Sequence, residues 1–256
     1  MPKITIITVC FNAEKYIEQT INSVISQKDC DFEYIIIDGA STDKTKHIIQ
    51  QHESQITHWI SEPDKGIADA MNKGVAFAAG EYVLFLHADD YLVNEEVLSK
   101  AISRMQANAD IHAFDILFKT KDKKILKSTQ AFGIRTYFKT PVMHQGAFCK
   151  KALFKQLGGF NTSFKIAMDY EFFYKAFQHK VIMTIHTDLI VSVMRDTGVS
   201  SRQDWPSLKQ RFAEERKVHL ENNTSTAMRA IYAVYWTLYL PYRKMRFSLL
   251  SPTKPN

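Results

Sequence analysis

Ser61-Glu62-Pro63-Asp64-Lys65-Gly66-Ile67-Ala68-Asp69-Ala70-Met71-Asn72-Lys73-Gly74, followed by Tyr82-Val83-Leu84-Phe85-Leu86-His87-Ala88-Asp89-Asp90, decides how this chain is read. The second stretch opens as an apolar run and ends on two adjacent carboxylates. In open α/β sheets the ligand crevice lies outside the carboxyl ends of the strands. Two carboxylates side by side repel each other unless a positive charge joins them. A divalent cation holding a diphosphate is the economical reading, since hard cations take oxygen ligands and bridge phosphates.

The same strand-then-helix unit recurs upstream. Residues 3–10, 32–37, 56–60 and 82–86 read as strands, with Ile35-Ile36-Ile37 apolar throughout, as in a parallel sheet covered on both faces. Asn12 caps a helix whose Ile17, Ile21, Val24 and Ile25 recur at helical spacing. Further helices are expected to about Gln51, over 67–79 with a stop at Gly80, and over 95–105. This βαβαβαβα alternation predicts an α/β fold, doubly wound and mainly parallel. After residue 106 the pattern changes: strands over 111–118 and 124–128, helices over 150–156 and 168–177, and strand over most of 181–194. The expected organisation is a first half (1–105), a second half of the same domain (106–200) and a basic helical tail (201–256).

Bulk properties narrow the classes. The chain has 256 residues and is 45% hydrophobic, enough for a sizeable core. Its net charge of +6 falls entirely within 201–256, so the body needs no polyanionic partner. Cys10, Cys30 and Cys149 form no C-x-x-C pair and leave an odd count, which favours a reducing compartment. Met1-Pro2-Lys3 leads straight into a strand pattern, from which no signal peptide is expected, and no run of about 20 apolar residues suited to spanning a bilayer is present. No G-x-G-x-x-G is present, which argues against a dinucleotide oxidoreductase. Cys10-Phe11-Asn12-Ala13-Glu14 is not the Gly-rich phosphate loop that a sugar nucleotidyltransferase would need. A non-catalytic scaffold is the third alternative, opposed by the full set of carboxylates.

Asp38, Asp64 and the Asp89/Asp90 pair each follow a strand or precede a helix. Singly, each suits a helix or turn cap. Together, in register with three strands, they point into one crevice.

The order of five segments then resembles the inverting glycosyltransferases of family 2, with the GT-A fold. They are Ile6–Ala13 (IITVCFNA), Ile35–Asp43 (IIIDGASTD), 61–74, Leu84–Asp90, and Asp169-Tyr170-Glu171-Phe172. The resemblance implies a nucleotide-diphosphate sugar donor, a UDP-sugar first, and Mn²⁺ or Mg²⁺. It also implies that the first half (1–105) binds the donor and the second (106–200) an acceptor. It implies that Thr8, Phe11 and Asn12 line the nucleobase pocket and that Asp38 contacts base or ribose. Asp64 and Lys65 would meet uracil or diphosphate, Asp89 ribose or the metal site, and Asp90 the metal. His87 stands where the family often has an acid. It is open as a ligand, a phosphate donor or a satisfied polar residue.

An inverting transfer needs one base for the acceptor hydroxyl. The resemblance places it at Asp169, with Glu171 as the alternative, and sets His144-Gln145 near the acceptor or diphosphate. Arg195, in a Gly-containing loop, is expected to close over the diphosphate in place of a metal-binding His, or else to pair with Asp196.

The tail combines an apolar, aromatic stretch (230–240), ended by Pro241, with Arg243, Lys244 and Arg246. It fits a peripheral membrane contact through 229–250, packing on the enzyme's own core, or a homodimer. No nucleic-acid recognition motif accompanies it. The resemblance implies transfer to a saccharide or lipid-linked saccharide in bacterial surface-polysaccharide synthesis (O-antigen, capsule or exopolysaccharide), in the cytoplasm or on the cytoplasmic face of the inner membrane.

Overall fold

The computed structural model describes residues 3–222 and 225–250. The expectation about the chain's start at Met1-Pro2, and the last six residues of the basic tail, lie outside the described residues.

The apolar runs become β1 (Ile4–Cys10), β2 (Phe32–Asp38), β3 (His58–Ser61) and β4 (Tyr82–Phe85). Between them lie α1 (Ile17–Ile25), α2 (Thr45–Gln51) and α3 (Ile67–Phe77). Then follow β5 (Tyr91–Leu92), α4 (Val97–Arg104), β6 (Ile111–Lys119), β7 (Lys124–Lys127), β8 (Ala147–Lys150), α5 (Lys151–Leu157), α6 (Met168–Gln178), β9 (Met183–Arg195), α7 (Trp205–Glu221) and α8 (Thr226–Leu250).

One nine-stranded sheet holds them in the order β3-β2-β1-β4-β8-β6-β9-β5, with β7 on β6. The β3-β2-β1-β4 half is parallel; β8 joins it antiparallel to β4, so the second half is mixed. The sheet runs unbroken between the two halves of the chain. Alternate side chains of β1 face opposite layers. Ile4 and Ile6 pack with α1, α2 and α4; Ile7 and Val9 pack with α3, α5 and α6. This is the doubly wound, mainly parallel α/β arrangement that the strand–helix alternation predicts.

The two-residue β5, paired with β9, and the four-residue β8, paired with β4 and β6, are strands beyond those the sequence pattern predicts. One expectation is corrected. The apolar tail does not stop at Pro241: α8 continues to Leu250. Proline inside a helix costs about 3 kcal/mol. Packing on both sides of it opposes that cost, with Tyr232 and Trp236 buried before it and Phe247 against Trp205 after it. Leu208, Phe212, Tyr232 and Trp236 form a small core of their own between α7 and α8. Among the described residues, no helix is long and apolar enough to cross a membrane.

Candidate active site

β1 to β4 end side by side, and their exits open into a cavity of about 590 Å³. It is lined by Phe11 and Asn12 after β1, Asp64 after β3, His87, Asp89 and Asp90 after β4, the His144-Gln145 turn, Asp169 on α6, and Arg195 at the end of β9. Phe11 is 63% exposed, a large aromatic face turned to solvent at the cavity wall. Asp64 accepts from the Gly66 amide at 2.8 Å. Beside it, a Cβ on Gly39 would stand 2.5 Å from Asp64 Oδ2, so a side chain there would push the Asp64 carboxylate aside. Asn12 has φ of 50°, and its Oδ1 accepts from the Thr42 amide at 2.9 Å, tying the exits of β1 and β2 together.

Three expected residues do not line this cavity. Thr8 lies one step too early on β1: it is fully buried, its hydroxyl 3.1 Å from the Tyr34 hydroxyl. Asp38 turns inward. Its carboxylate accepts from the Ser41 amide (2.9 Å), the Ser61 hydroxyl (2.6 Å), the Ser41 hydroxyl and the Cys10 thiol. It therefore braces the β2 and β3 exits rather than offering free oxygens to a ligand. Lys65 is exposed outside the cavity, with its amide on Asp69.

Asp90 is the most perturbed acid of the site. It is 1% exposed, and burial together with the neighbouring charge of Asp89 pushes its carboxyl up to about 7. His144, the Gln145 side chain and the Arg195 amide (3.3 Å from Oδ1) act in the opposite direction. Burial, and His144 next to it, hold His87 well below the ordinary histidine value, so its ring is neutral. Three buried polar atoms at this wall, His87 Nδ1, His144 Nε2 and Gln145 Oε1, lack a hydrogen-bond partner. Buried polar atoms are seldom left so, and a wall with three of them fits a polar ligand. Among the described residues, no group of three or more His, Cys, Asp or Glu is placed to hold a metal. Asp90 is the carboxylate that would hold a divalent cation here, since Mg²⁺ and Mn²⁺ take oxygen ligands and accept few from the protein.

The two acids of α6 separate cleanly. Asp169 faces the cavity; its Oδ1 accepts from the Tyr170 amide at 2.7 Å and its Oδ2 lies 3.2 Å from His144 Nδ1. Glu171 points away, buried and paired with Lys175 at 2.9 Å. Arg195 is not in a mobile loop and does not pair with Asp196. As the last residue of β9 it is buried, with its guanidinium between the rings of Tyr16 and Tyr91, 4.7 Å from each. It donates to Asp89 O and Gln19 Oε1. Planar guanidinium groups stack this way. Thr197 Oγ1, just beyond, donates to Asp89 at 2.7 Å. Sequence reasoning missed Lys15, Tyr16 and Lys165, which also line the cavity. They lie outside the strand-end motifs, and only the closed fold gathers them.

Residues 5–185 match the Glycosyl transferase family 2. An uncharacterised glycosyltransferase of Mycobacterium tuberculosis is 29% identical over 210 residues, 79% of either chain. A glycosyltransferase of Mycobacterium bovis named for PGL/p-HBAD biosynthesis is 28% identical over 205 residues, 77% of this chain and 78% of its own. Among solved structures, S. aureus TarS 1–349 in complex with UDP-GlcNAc has a TM-score of 0.72 at 21% identity, over 98% of this chain and 76% of that one. The mannosyltransferase PcManGT of Pyrobaculum calidifontis, in complex with GDP-Man and Mn²⁺, has a TM-score of 0.61 at 19% identity, over 95% and 83%. Against a longer TarS structure the chain spans 40% of the length. With the family match running through most of the doubly wound sheet, this chain belongs to glycosyltransferase family 2.

Proposed function

We propose that the enzyme transfers a sugar, with inversion, from a nucleoside-diphosphate sugar, most simply a UDP-sugar, to an acceptor hydroxyl. The observation that carries this is that Asp90 and Asp169 line one cavity, the first buried among polar atoms without partners, the second facing open space. Phe11 supplies an aromatic face for the base, and Asp64 and Asn12 supply polar atoms around it. A divalent metal on Asp90 would neutralise charge on the leaving diphosphate. Asp169 takes the acceptor proton as that oxygen attacks the anomeric carbon from the face opposite the diphosphate, so the bond to the diphosphate breaks with inversion. Lys15, Lys165 and Arg195 add positive charge to the cavity, which suits a diphosphate.

The acceptor is a saccharide on a lipid carrier in bacterial surface-polysaccharide synthesis, an O-antigen, capsule or exopolysaccharide. The names of the relatives support this, including TuaG of Bacillus subtilis, named for teichuronic acid biosynthesis and 42% identical over 92 residues. So does α8, whose outward Ile231, Val234, Leu238, Tyr242, Met245 and Leu249 form an exposed apolar stripe beside Lys244 and Arg246. That stripe suits the cytoplasmic face of an anionic membrane, where such an acceptor would lie.

Thermal unfolding with UDP and GDP, each with and without Mn²⁺, tests the donor reading. Saturation at 100 times Kd stabilises by about 2.7 kcal/mol. A metal-dependent shift with UDP is expected; no shift with any nucleotide would refute it.

A further inference from the structure

The geometry points to Glu214, on α7 and outside the family-matched residues, as the positioning residue for Asp169; this rests on the base role proposed above. α6 starts without a side-chain cap of its own, because Ala167 occupies the N-cap position. Glu214, from α7, instead holds the segment that leads into α6. Its Oε2 accepts from three consecutive amides, Lys165 (3.1 Å), Ile166 (2.7 Å) and Ala167 (2.9 Å), and Gln210 donates to its Oε1 at 3.3 Å. Those amides lead directly into Met168 and Asp169. Three amides left without acceptors would let this entering segment move, whereas a charged acceptor shared by all three holds it in one conformation. One carboxylate oxygen thus fixes the backbone from which Asp169 projects into the cavity.

A second tie runs in parallel. Tyr170, next to Asp169, has its hydroxyl 2.7 Å from His219 Nε2 on α7, and Trp236 of α8 donates to His219 Nδ1 at 3.0 Å. The Tyr170 hydroxyl in turn lies 3.2 Å from the Thr136 carbonyl. The chain is consistent in one direction only: Trp236 N–H to His219, His219 Nε2–H to Tyr170, Tyr170 O–H to Thr136. That requires a neutral His219, and burial lowers its pKa to about 4. Lys217, further along α7, donates to Ser163 at 2.9 Å. α7 is therefore the backing of the acceptor wall rather than an appendage.

The test measures kcat and donor KM for Glu214→Ala and Glu214→Gln, alone and in an Asp169→Asn background. Glu214→Ala is expected to lower kcat by about 10–100-fold, the size of effect a misplaced reacting group gives, with donor KM nearly unchanged. Gln keeps an acceptor oxygen and recovers part of the loss. Residues acting as one unit are non-additive, so Glu214→Ala should add little to Asp169→Asn. Equal losses in both backgrounds, or an unchanged kcat, would overturn the assignment. If Glu214→Ala fails to fold, hydrogen exchange at amides 165–167 in Glu214→Gln decides: faster exchange with lowered kcat supports it, and unchanged exchange overturns it. Full transfer by Asp169→Asn would instead refute the base role, leaving the exchange result to report on the clamp separately.

Discussion

His144 Nδ1 lies 3.2 Å from Asp169 Oδ2 while the Tyr170 amide donates to Asp169 Oδ1 at 2.7 Å, so the carboxylate at the acceptor wall is held at both oxygens. His144 begins the short turn whose next residue, Gln145, faces Asp90. That turn is fixed from behind: Ser192 donates to the Gln145 carbonyl at 2.7 Å, and a Cβ on Gly146 would stand 2.4 Å from the Phe114 carbonyl. One rigid turn therefore touches both carboxylates to which the proposed reaction gives a role. Asp169→Asn should lower transfer by about 10²–10⁴-fold, the usual worth of a positioned base. His144→Ala should lower kcat by about 10–100-fold through misplacement. Both should bind UDP as the parent does. Steady-state kinetics with a nucleotide titration check this, and a His144→Ala enzyme with unchanged kcat would refute it.

Asp90 predicts a trade between stability and function. Its folded pKa of about 7 lies above the unfolded value of about 3.9. Between these values the folded state binds the extra proton, so stability falls as pH rises from about 4 to about 7 and stays low above that. Asp90→Asn removes the buried charge. It should raise Tm at pH 8 by several degrees, each kcal/mol being worth about 2–4 °C in a protein of this size, and change it little at pH 4. The same variant should lose metal-dependent nucleotide binding. Calorimetry at the two pH values and a Mn²⁺–UDP titration give the answer. A lower Tm at pH 8, or retained metal dependence, would contradict it.

Gly39 separates donor binding from chemistry. Alanine there sets a methyl 2.5 Å from Asp64 Oδ2, and the side chain must move. The proposed role of Asp64 is to hold the base and not to move the acceptor proton, so donor KM should rise about 10-fold or more while kcat at saturating donor stays within about twofold, the pattern of lost uniform binding. Kinetics at saturating acceptor check this; an unchanged donor KM would mean that Asp64 does not hold the nucleotide.

The parallel half of the sheet was legible because Ile4–Cys10, Phe32–Asp38 and Tyr82–Phe85 are apolar runs buried on both faces, and such runs announce themselves. The strand-end acids were legible as a group. Which of them face a ligand was not, because that depends on side-chain direction: Asp38 and Asp90 both follow apolar strands, yet the first turns to Ser41 and Ser61 and the second to the cavity. Arg195 read as a loop cation because nothing local reveals that Tyr16 and Tyr91 stand on either side of it. Glu214 is a helix glutamate with no motif; only the packing of α7 brings it to three amides of another segment.

The outward face of α8 makes a prediction that the fold can carry without being disturbed. Leu238 is 67% and Leu249 76% exposed, on the side opposite the Tyr232–Trp236 anchor. Charges placed on exposed positions usually change stability by no more than about 0.5 kcal/mol, so Leu238→Glu with Leu249→Glu should keep the parent Tm and the parent rate on a short soluble acceptor. The helix carries Arg229, Arg243, Lys244 and Arg246 and no acidic residue. Pairing two such helices would set like charges against each other, whereas an anionic lipid surface gains about 1 kcal/mol per basic residue near it. The parent enzyme should therefore sediment with vesicles containing anionic lipid, release as salt rises, and ignore neutral vesicles. The double glutamate variant should stay in the supernatant. A parent that ignores anionic vesicles but sediments as a dimer, with the variant monomeric, would assign the stripe to a second copy of the chain instead.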